Sequence, residues 1–569
     1  MTDGTSRVLV IGLDGATFDA LRPLLERGSL PHLEALMAKG CWGRLSSTVP
    51  PFTAAAWSAF STGKNPGQHG VISFRIRDRF NYDVRGSGFV DARRLDETLW
   101  EILSTAGKQV GIVNVPLTYP ARPVNGYMVT GMLTPPGAKQ FTYPAEFVKN
   151  LGQDYVVDMD FIRNRATLRR RDFSSKTEML GQIRHMSRTR ARVSARLLRN
   201  EPWDFFMVVF TSTDRVLHFF WDDLTAMTAQ GGPGAKEPKD TIQRELLAYF
   251  RELDEGIGQL LDQAGPSTTV LVISDHGFGP APTRRLYLNV WLEQLGLLQR
   301  RGSEGIFDLE HWRVMVGRNK PIKALLRRLL PQSTQDGVKA MTESRSKEIL
   351  DWSKTRAYYV PIYFHVCGIE INLAGERREG IVQPGEEYET LCDQIVREAG
   401  RLIDPRDDRP IVEMAIRREE LYYGPCVDEF PDVILVLNPD YVVASSLAGS
   451  SLVEPHPHHH RPGEHRQDGI FIAAGPSILP QSELPNLNLL DVPPTILYAM
   501  GLPVPSSFDG RVLEETFDPI CLSTHPILIQ DLGGSPSLSD SSESLAESGY
   551  SEEEEASIEE RLRELGYID

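Results

Sequence analysis

No apolar run in this chain approaches the roughly 20 residues that a membrane-spanning helix needs. The first such run, Val8 to Leu13, is also too short for the core of a secretory leader. Cysteine is scarce: Cys41, Cys367, Cys392, Cys426 and Cys521 are odd in number and widely spaced, which suits neither a disulfide framework nor a thiolate zinc cluster. An excess of base is missing too. The formal net charge is −16, and phosphate backbones are gripped by clustered Lys and Arg, so the balance argues against a nucleic-acid groove. No internal repeat occurs. These absences lead to the expectation of a soluble, cytoplasmic protein with no membrane segment; they do not fix its oligomeric state.

At 569 residues the chain exceeds one compact core, and a large domain with insertions is expected. Much of its charge is local. From Asp540 to Asp569 eleven acids face only Arg561 and Arg563, a balance of −9, which leaves −7 for the rest. This Ser-rich acidic stretch closes on Ser551 to Leu565, whose acidic first turn and later arginines suit a short helix.

Short apolar runs that stop abruptly at polar residues read as buried strands: Val8 to Leu13 before Asp14, Phe205 to Phe210 before Thr211 to Asp214, and Val270 to Ile273 before Asp275. Val110 to Val115, Val433 to Leu437 and Ile470 to Ala473 read likewise. Helical stretches such as Asp19 to Lys39 and Glu97 to Ala106 separate them, so an α/β core is expected, with a mostly parallel sheet between helical layers. The expected division is a core over residues 1–284 and 424–516 with a helical rim at about 143–200, an inserted cap at 285–423, and an acidic tail at 517–569. In such sheets ligands bind beyond the carboxyl ends of the strands, where three carboxylates here end up.

The segment Ser47 to Gly70, STVPPFTAAAWSAFSTGKNPGQHG, places Thr53 where a helix N-cap belongs, ahead of the helix formers Ala54 to Phe60. Unpaired amides and the helix dipole favour an anion there, so a phosphoryl group can sit beside the Thr53 hydroxyl with the Ala54 amide pointing at it. Alone, Thr53 reads as a simple cap. What alters the reading is a set of candidate ligands: Asp14, Asp214 and His218 four residues apart, the adjacent Asp275 and His276, and His465. Carboxylate and imidazole suit zinc or a similar divalent ion. The run His456 to His460 invites a further site but is Pro-flanked and reads as a solvated loop, and His69 reads as a loop-fixing residue.

In their order, GLDG, the stretch from Thr53 to TGKNPGQHG, DRVLHFFW, SDHGF and HRQDGIF resemble the type I phosphodiesterase and nucleotide pyrophosphatase branch of the alkaline phosphatase superfamily. The resemblance implies an alkaline-phosphatase-like core and a hydrolase of phosphate esters, most readily diesters or nucleotide pyrophosphates. It implies two divalent ions, zinc foremost with manganese or magnesium as alternatives. One would lie on Asp14, Thr53, Asp275 and His276, the other on Asp214, His218 and His465. It further implies attack by Thr53 and a phosphothreonine intermediate, with two inversions and net retention at phosphorus.

Position 56, within the first turn of the nucleophile helix, is alanine and brings no amide to a phosphoryl oxygen. Asn114, in the strand-ending segment NVPLTY, is the candidate for that contact, and Arg215 beside Asp214 is a second candidate for the substrate. Three enzymatic alternatives stay open: a phosphomonoesterase, a phosphotransferase, and a sulfatase, although the last lacks its C/S-x-P-x-R nucleophile segment. A catalytically silent scaffold is the alternative of another class. It would have to keep seven polar groups at strand ends with no metal to compensate them.

Overall fold

The structure is a computed structural model that describes residues 7–82, 88–158, 173–229, 237–301, 350–444, 451–456, 461–531 and 549–567. Ten strands form the main sheet: β1 (Val8–Leu13), β2 (Cys41–Ser46), β3 (Val110–Val115), β4 (Gly126–Thr130), β5 (Thr142–Tyr143), β6 (Phe205–Phe210), β7 (Thr269–Ile273), β8 (Asp468–Ala474), β9 (Ser482–Glu483) and β10 (Leu487–Asn488). Their order is β9-β2-β8-β7-β1-β6-β3-β4-β5, with β10 also on β2. Strand β8 runs antiparallel to both of its neighbours, and β5 to β4; the other pairs are parallel. This is the expected α/β architecture.

Every residue of β1, β3 and β6 is buried, as central strands covered on both faces must be. Alternate residues serve opposite cores. Leu9, Ile11 and Leu13 pack into one apolar cluster, Val8 and Val10 into the other, following the two-residue period of a strand. On the first face lie the helices α1 (Phe18–Glu26), α2 (Pro31–Lys39), α4 (Phe173–Asn200), α5 (Ser212–Thr228) and α6 (Thr241–Ala264); on the second lie α3 (Thr53–Thr62) and α7 (Val492–Ala499). Helix α3 is buried along its whole length. That explains its run of alanines, whose small side chains let the sheet and neighbouring helices approach on all sides.

The register sets the site. Leu13 pairs with Phe210 and Gly12 with Ile273, so β6, β1 and β7 end level with one another and deliver the residues that follow to one edge.

A second sheet has the order Ala357–Tyr363, Val366–Ile371, Val433–Leu437, Val412–Arg417, antiparallel throughout. Val433–Leu437 is therefore a strand as expected, but it belongs to this smaller sheet and not to the core. Its two neighbours satisfy its backbone. An apolar run alone cannot say which sheet receives it, and the chain rejoins the main sheet only at β8. The basic stretch at 320–330 and much of the rim at 159–172 lie outside the described residues. At the C-terminal side, helix α8 (Glu552–Leu565) opens with a Ser551/Glu554 capping box and buries Ile558, Leu562 and Leu565 in the first core cluster. Among the described residues no helix is long and apolar enough to cross a membrane.

Candidate active site

Asp14 follows β1, Asp214 opens the first turn of α5 just past β6, and Asp275 follows β7. Each is fixed by its surroundings. The Trp57 indole donates to Asp14 Oδ2 at 3.1 Å, and the Gly15 amide donates to Asp275 Oδ1 at 3.1 Å. Gly15 must be glycine. Its φ is +71°, and a Cβ there would meet the Phe278 ring at 2.7 Å. His465 arrives through a two-stranded ladder in which Gly277–Pro280 pairs antiparallel with Gly463–Arg466 and sets His465 opposite Phe278.

Thr53 is the first residue of α3 rather than its N-cap. Phe52 holds the cap position with extended backbone and no side-chain cap bond, so the Thr53 hydroxyl is not spent on the helix end and lies 3.3 Å from His276 Nε2. The Ala54 amide is in the first helical turn, where no intrahelical acceptor reaches it.

The geometry fits two cations. Ligand atoms around a tetrahedral ion about 2 Å away sit about 3.3 Å apart. Asp214 Oδ1 lies 3.3 Å from His218 Nε2 and 3.1 Å from His465 Nε2, and the two imidazole nitrogens are 3.0 Å apart. Across the site, His276 Nε2 lies 3.3 Å from Asp275 Oδ2 and 3.6 Å from Asp14 Oδ1. Those two carboxylate oxygens are buried without a hydrogen-bond partner, an arrangement that costs free energy unless a cation meets it. Ligand atoms of Asp214, His276 and His465 also cluster within 4.8 Å, so the two sets adjoin.

All three histidines turn Nδ1 to a backbone carbonyl: His218 to Gly463 at 3.0 Å, His276 to Gly277 at 3.1 Å and His465 to Pro51 at 3.1 Å. For His276 and His465 this fixes the tautomer and turns the Nε2 lone pair inward, as metal-bound histidines require, whereas the Arg461 guanidinium contacts both ring nitrogens of His218. Burial and the neighbouring Arg461 press His218 down to about 4, and burial with His465 alongside lowers His276 well below its usual range. Both are therefore neutral near pH 7. Burial, and then neighbouring carboxylates, raise Asp14 and Asp275. Burial also works against the Asp214 charge, but His218, His465 and Arg215 outweigh it and hold Asp214 low.

The two candidate substrate contacts fare differently. Asn114 is not brought to the cluster: its amide donates to Thr130 O at 2.9 Å and Val157 O at 3.3 Å, and its carbonyl accepts from the Tyr155 hydroxyl. With φ at +56°, it sits at a register shift within β3, and its polar atoms are spent on the fold. Arg215 is at the cluster but turned to protein, with Nη1 2.6 Å from Asp214 Oδ2 and Nη2 3.5 Å from Asp158. His69 accepts from the Val71 amide at 3.2 Å, consistent with fixing its loop. His456 pairs with Arg285 at 2.8 Å, while residues 457–460 lie outside the described residues.

The profile of the type I phosphodiesterase / nucleotide pyrophosphatase family matches residues 8–463. The chain belongs to that family. It is a hydrolase acting on phosphoric ester bonds, and the silent-scaffold alternative is set aside. Family members typically depend on divalent metals, and this one carries candidate ligand clusters.

Among solved structures, a phosphonoacetate hydrolase from Sinorhizobium meliloti 1021, in complex with phosphonoacetate, shares 14% identity at a TM-score of 0.52; 87% of this chain and 95% of that one are covered. Murine ectonucleotide pyrophosphatase / phosphodiesterase 5 shares 12% at 0.47, over 90% of this chain and all of that one. No curated protein matches.

Three residues at the cluster were not singled out from sequence. Glu464 directly precedes His465, and its Oε1 accepts from the Tyr363 hydroxyl at 2.6 Å. Arg461 lies against the His218 ring, Nη2 2.6 Å from Nδ1. Tyr567 reaches Asp214 from a distance of 353 residues along the chain, which no local pattern signals.

Proposed function

We propose that this protein hydrolyses phosphodiesters or nucleotide-pyrophosphate-type esters with two divalent cations, zinc foremost, through a covalent adduct on Thr53. The observation that carries the reading is an uncapped Thr53 hydroxyl at a helix N-terminus, 3.3 Å from His276 Nε2, beside inward-facing carboxylate and imidazole ligands. Asp14, Thr53, Asp275 and His276 would hold one ion, and Asp214, His218 and His465 the other. When bound, such ions supply the positive charge that acidifies a hydroxyl and neutralises a phosphoryl group in displacement.

The chain's own groups do the rest. Thr53 Oγ1 forms a bond to phosphorus as the bond to the first alcohol breaks, and the threonine proton is carried to the departing oxygen. The adduct keeps the second ester group. The amide of Ala54 and the positive end of α3 stabilise the phosphoryl oxygens. Water then attacks phosphorus, the bond to Thr53 Oγ1 breaks, and two inversions give net retention.

The five free cysteines suit a reducing compartment, and we place the protein in the cytoplasm. The test is a screen of diesters, nucleotide pyrophosphates and monoesters with zinc, manganese and magnesium. Turnover of a diester well above every monoester is expected; a monoester preference would overturn the substrate class.

A further inference from the structure

None of the seven clustered residues, Asp14, Thr53, Asp214, His218, Asp275, His276 and His465, is more than 1% exposed. A substrate therefore cannot reach Thr53 until part of the cover moves. Among the described residues, two elements pack over the site beside Arg461. One is the end of the strand Ala357–Tyr363, whose Tyr363 ring packs 4.4 Å from Phe52; it is tied into a four-stranded sheet with a core of its own. The other is the segment Gly549–Tyr567.

The second element ends inside the site. Helix α8 stops at Gly566, whose φ of +78° and amide bond to Arg563 O, together with the Tyr567 amide bond to Leu562 O, form a Schellman turn. A Cβ at Gly566 would meet Arg461 Nη1 at 2.5 Å. The turn sends Tyr567 back under the helix, where its hydroxyl donates to Asp214 Oδ2 at 2.5 Å and accepts from Arg215. Its ring stands 5.6 Å from Phe74, 5.7 Å from His218 and 6.1 Å from Phe52, with the Arg461 guanidinium over it at 5.4 Å. At the far end of the segment, Tyr550 stacks on Tyr119 and the Gly549 amide donates to Asp91.

We propose that Gly549–Tyr567 is a lid on the active site, latched by the Tyr567 hydroxyl on Asp214 and Arg215, and that substrate enters only when this latch is released. The segment is smaller than the four-stranded sheet, and its innermost anchor is one side chain on a glycine turn. Its release would uncover His218 and His465, whose rings stand 5.7 and 6.2 Å from Tyr567. The proposal deepens the functional reading above and rests on its choice of Thr53 as the reacting group.

The test measures carbethoxylation of individual histidines by diethyl pyrocarbonate, located by mass spectrometry, on the full chain stripped of divalent ions by a chelator so that only protein covers the imidazoles. His32, with a side chain 40% exposed, is the internal reference. In the unmodified protein His218, His276 and His465 should react far more slowly than His32. Tyr567→Ala should accelerate all three by about tenfold or more, the loss expected when a hydrogen bond to charged groups is removed, and Tyr567→Phe by less. His32 should react alike in all variants, and an unchanged circular dichroism spectrum shows that the fold is retained.

Histidines as reactive as His32 in the unmodified protein, or an acceleration below about tenfold in Tyr567→Ala, would overturn the lid. The functional reading stands or falls separately. A protected site in a protein that, with its ions, cleaves no phosphate ester would sink that reading and leave the lid intact.

Discussion

At the residue scale the account depends on Thr53 doing something that its neighbours cannot. Replacing it by alanine removes the nucleophile but only one ligand of seven, so Thr53→Ala should lower kcat by roughly a thousandfold or more while metal content, measured by elemental analysis, stays near wild type. His465→Ala should instead lose metal, and activity with it. Its Nε2 adjoins both Asp214 and His218, and its loss should release at least one ion. The candidate ligands were legible in the sequence because each stands where an apolar run ends or beside a quoted motif. Asn114 misled for the same reason: it stands near the end of an apolar run, but at a register shift inside β3 its left-handed backbone turns the amide into the fold. Tyr567 was illegible, since a tyrosine after a polar helix carries no sign of where the helix docks.

At the element scale, helix and strand positions were largely readable, whereas sheet membership was not. Val433–Leu437 has the same apolar pattern as the core strands yet pairs within the smaller sheet. That sheet is joined to the nucleophile side by Glu370, which is fully buried and accepts from Arg77 at 2.9 Å, Arg79 at 3.0 Å and the Tyr358 hydroxyl at 2.5 Å. Burial opposes its charge, but Arg77, Arg79 and Arg377 prevail and hold the carboxyl down to about 2, against an ordinary 4.5.

A depressed carboxyl stabilises the fold above its unfolded pKa, and that stabilisation, on the order of 3 kcal/mol, disappears as pH falls from about 4.5 towards 2. Acid titration followed by circular dichroism should therefore show a loss of stability in that window, and Glu370→Gln should remove it. At neutral pH the same variant should be destabilised by about 3 to 5 kcal/mol, because it strands buried arginines. An unchanged acid transition in Glu370→Gln would contradict this.

At the scale of the whole molecule, one sheet edge gathers residues from positions 14 to 465, and the site's unmet negative charge lies between them. Ions that bind only the folded protein must stabilise it, by on the order of 4 kcal/mol each at about a thousand times their Kd. Chelation should lower Tm, and zinc should restore it. The parallel core was legible from continuous apolar runs separated by helices; how the terminal helix and the smaller sheet close over that edge depends on long-range packing that no local pattern records.

The central claim is a covalent intermediate on Thr53, and its most direct measurement is mass spectrometry of peptides from enzyme acid-quenched during turnover of a diester. The account predicts a phosphoryl adduct on Thr53, retaining one ester group and absent from Thr53→Ala. Full turnover with Thr53 unmodified, and with Thr53→Ala still active, would contradict it.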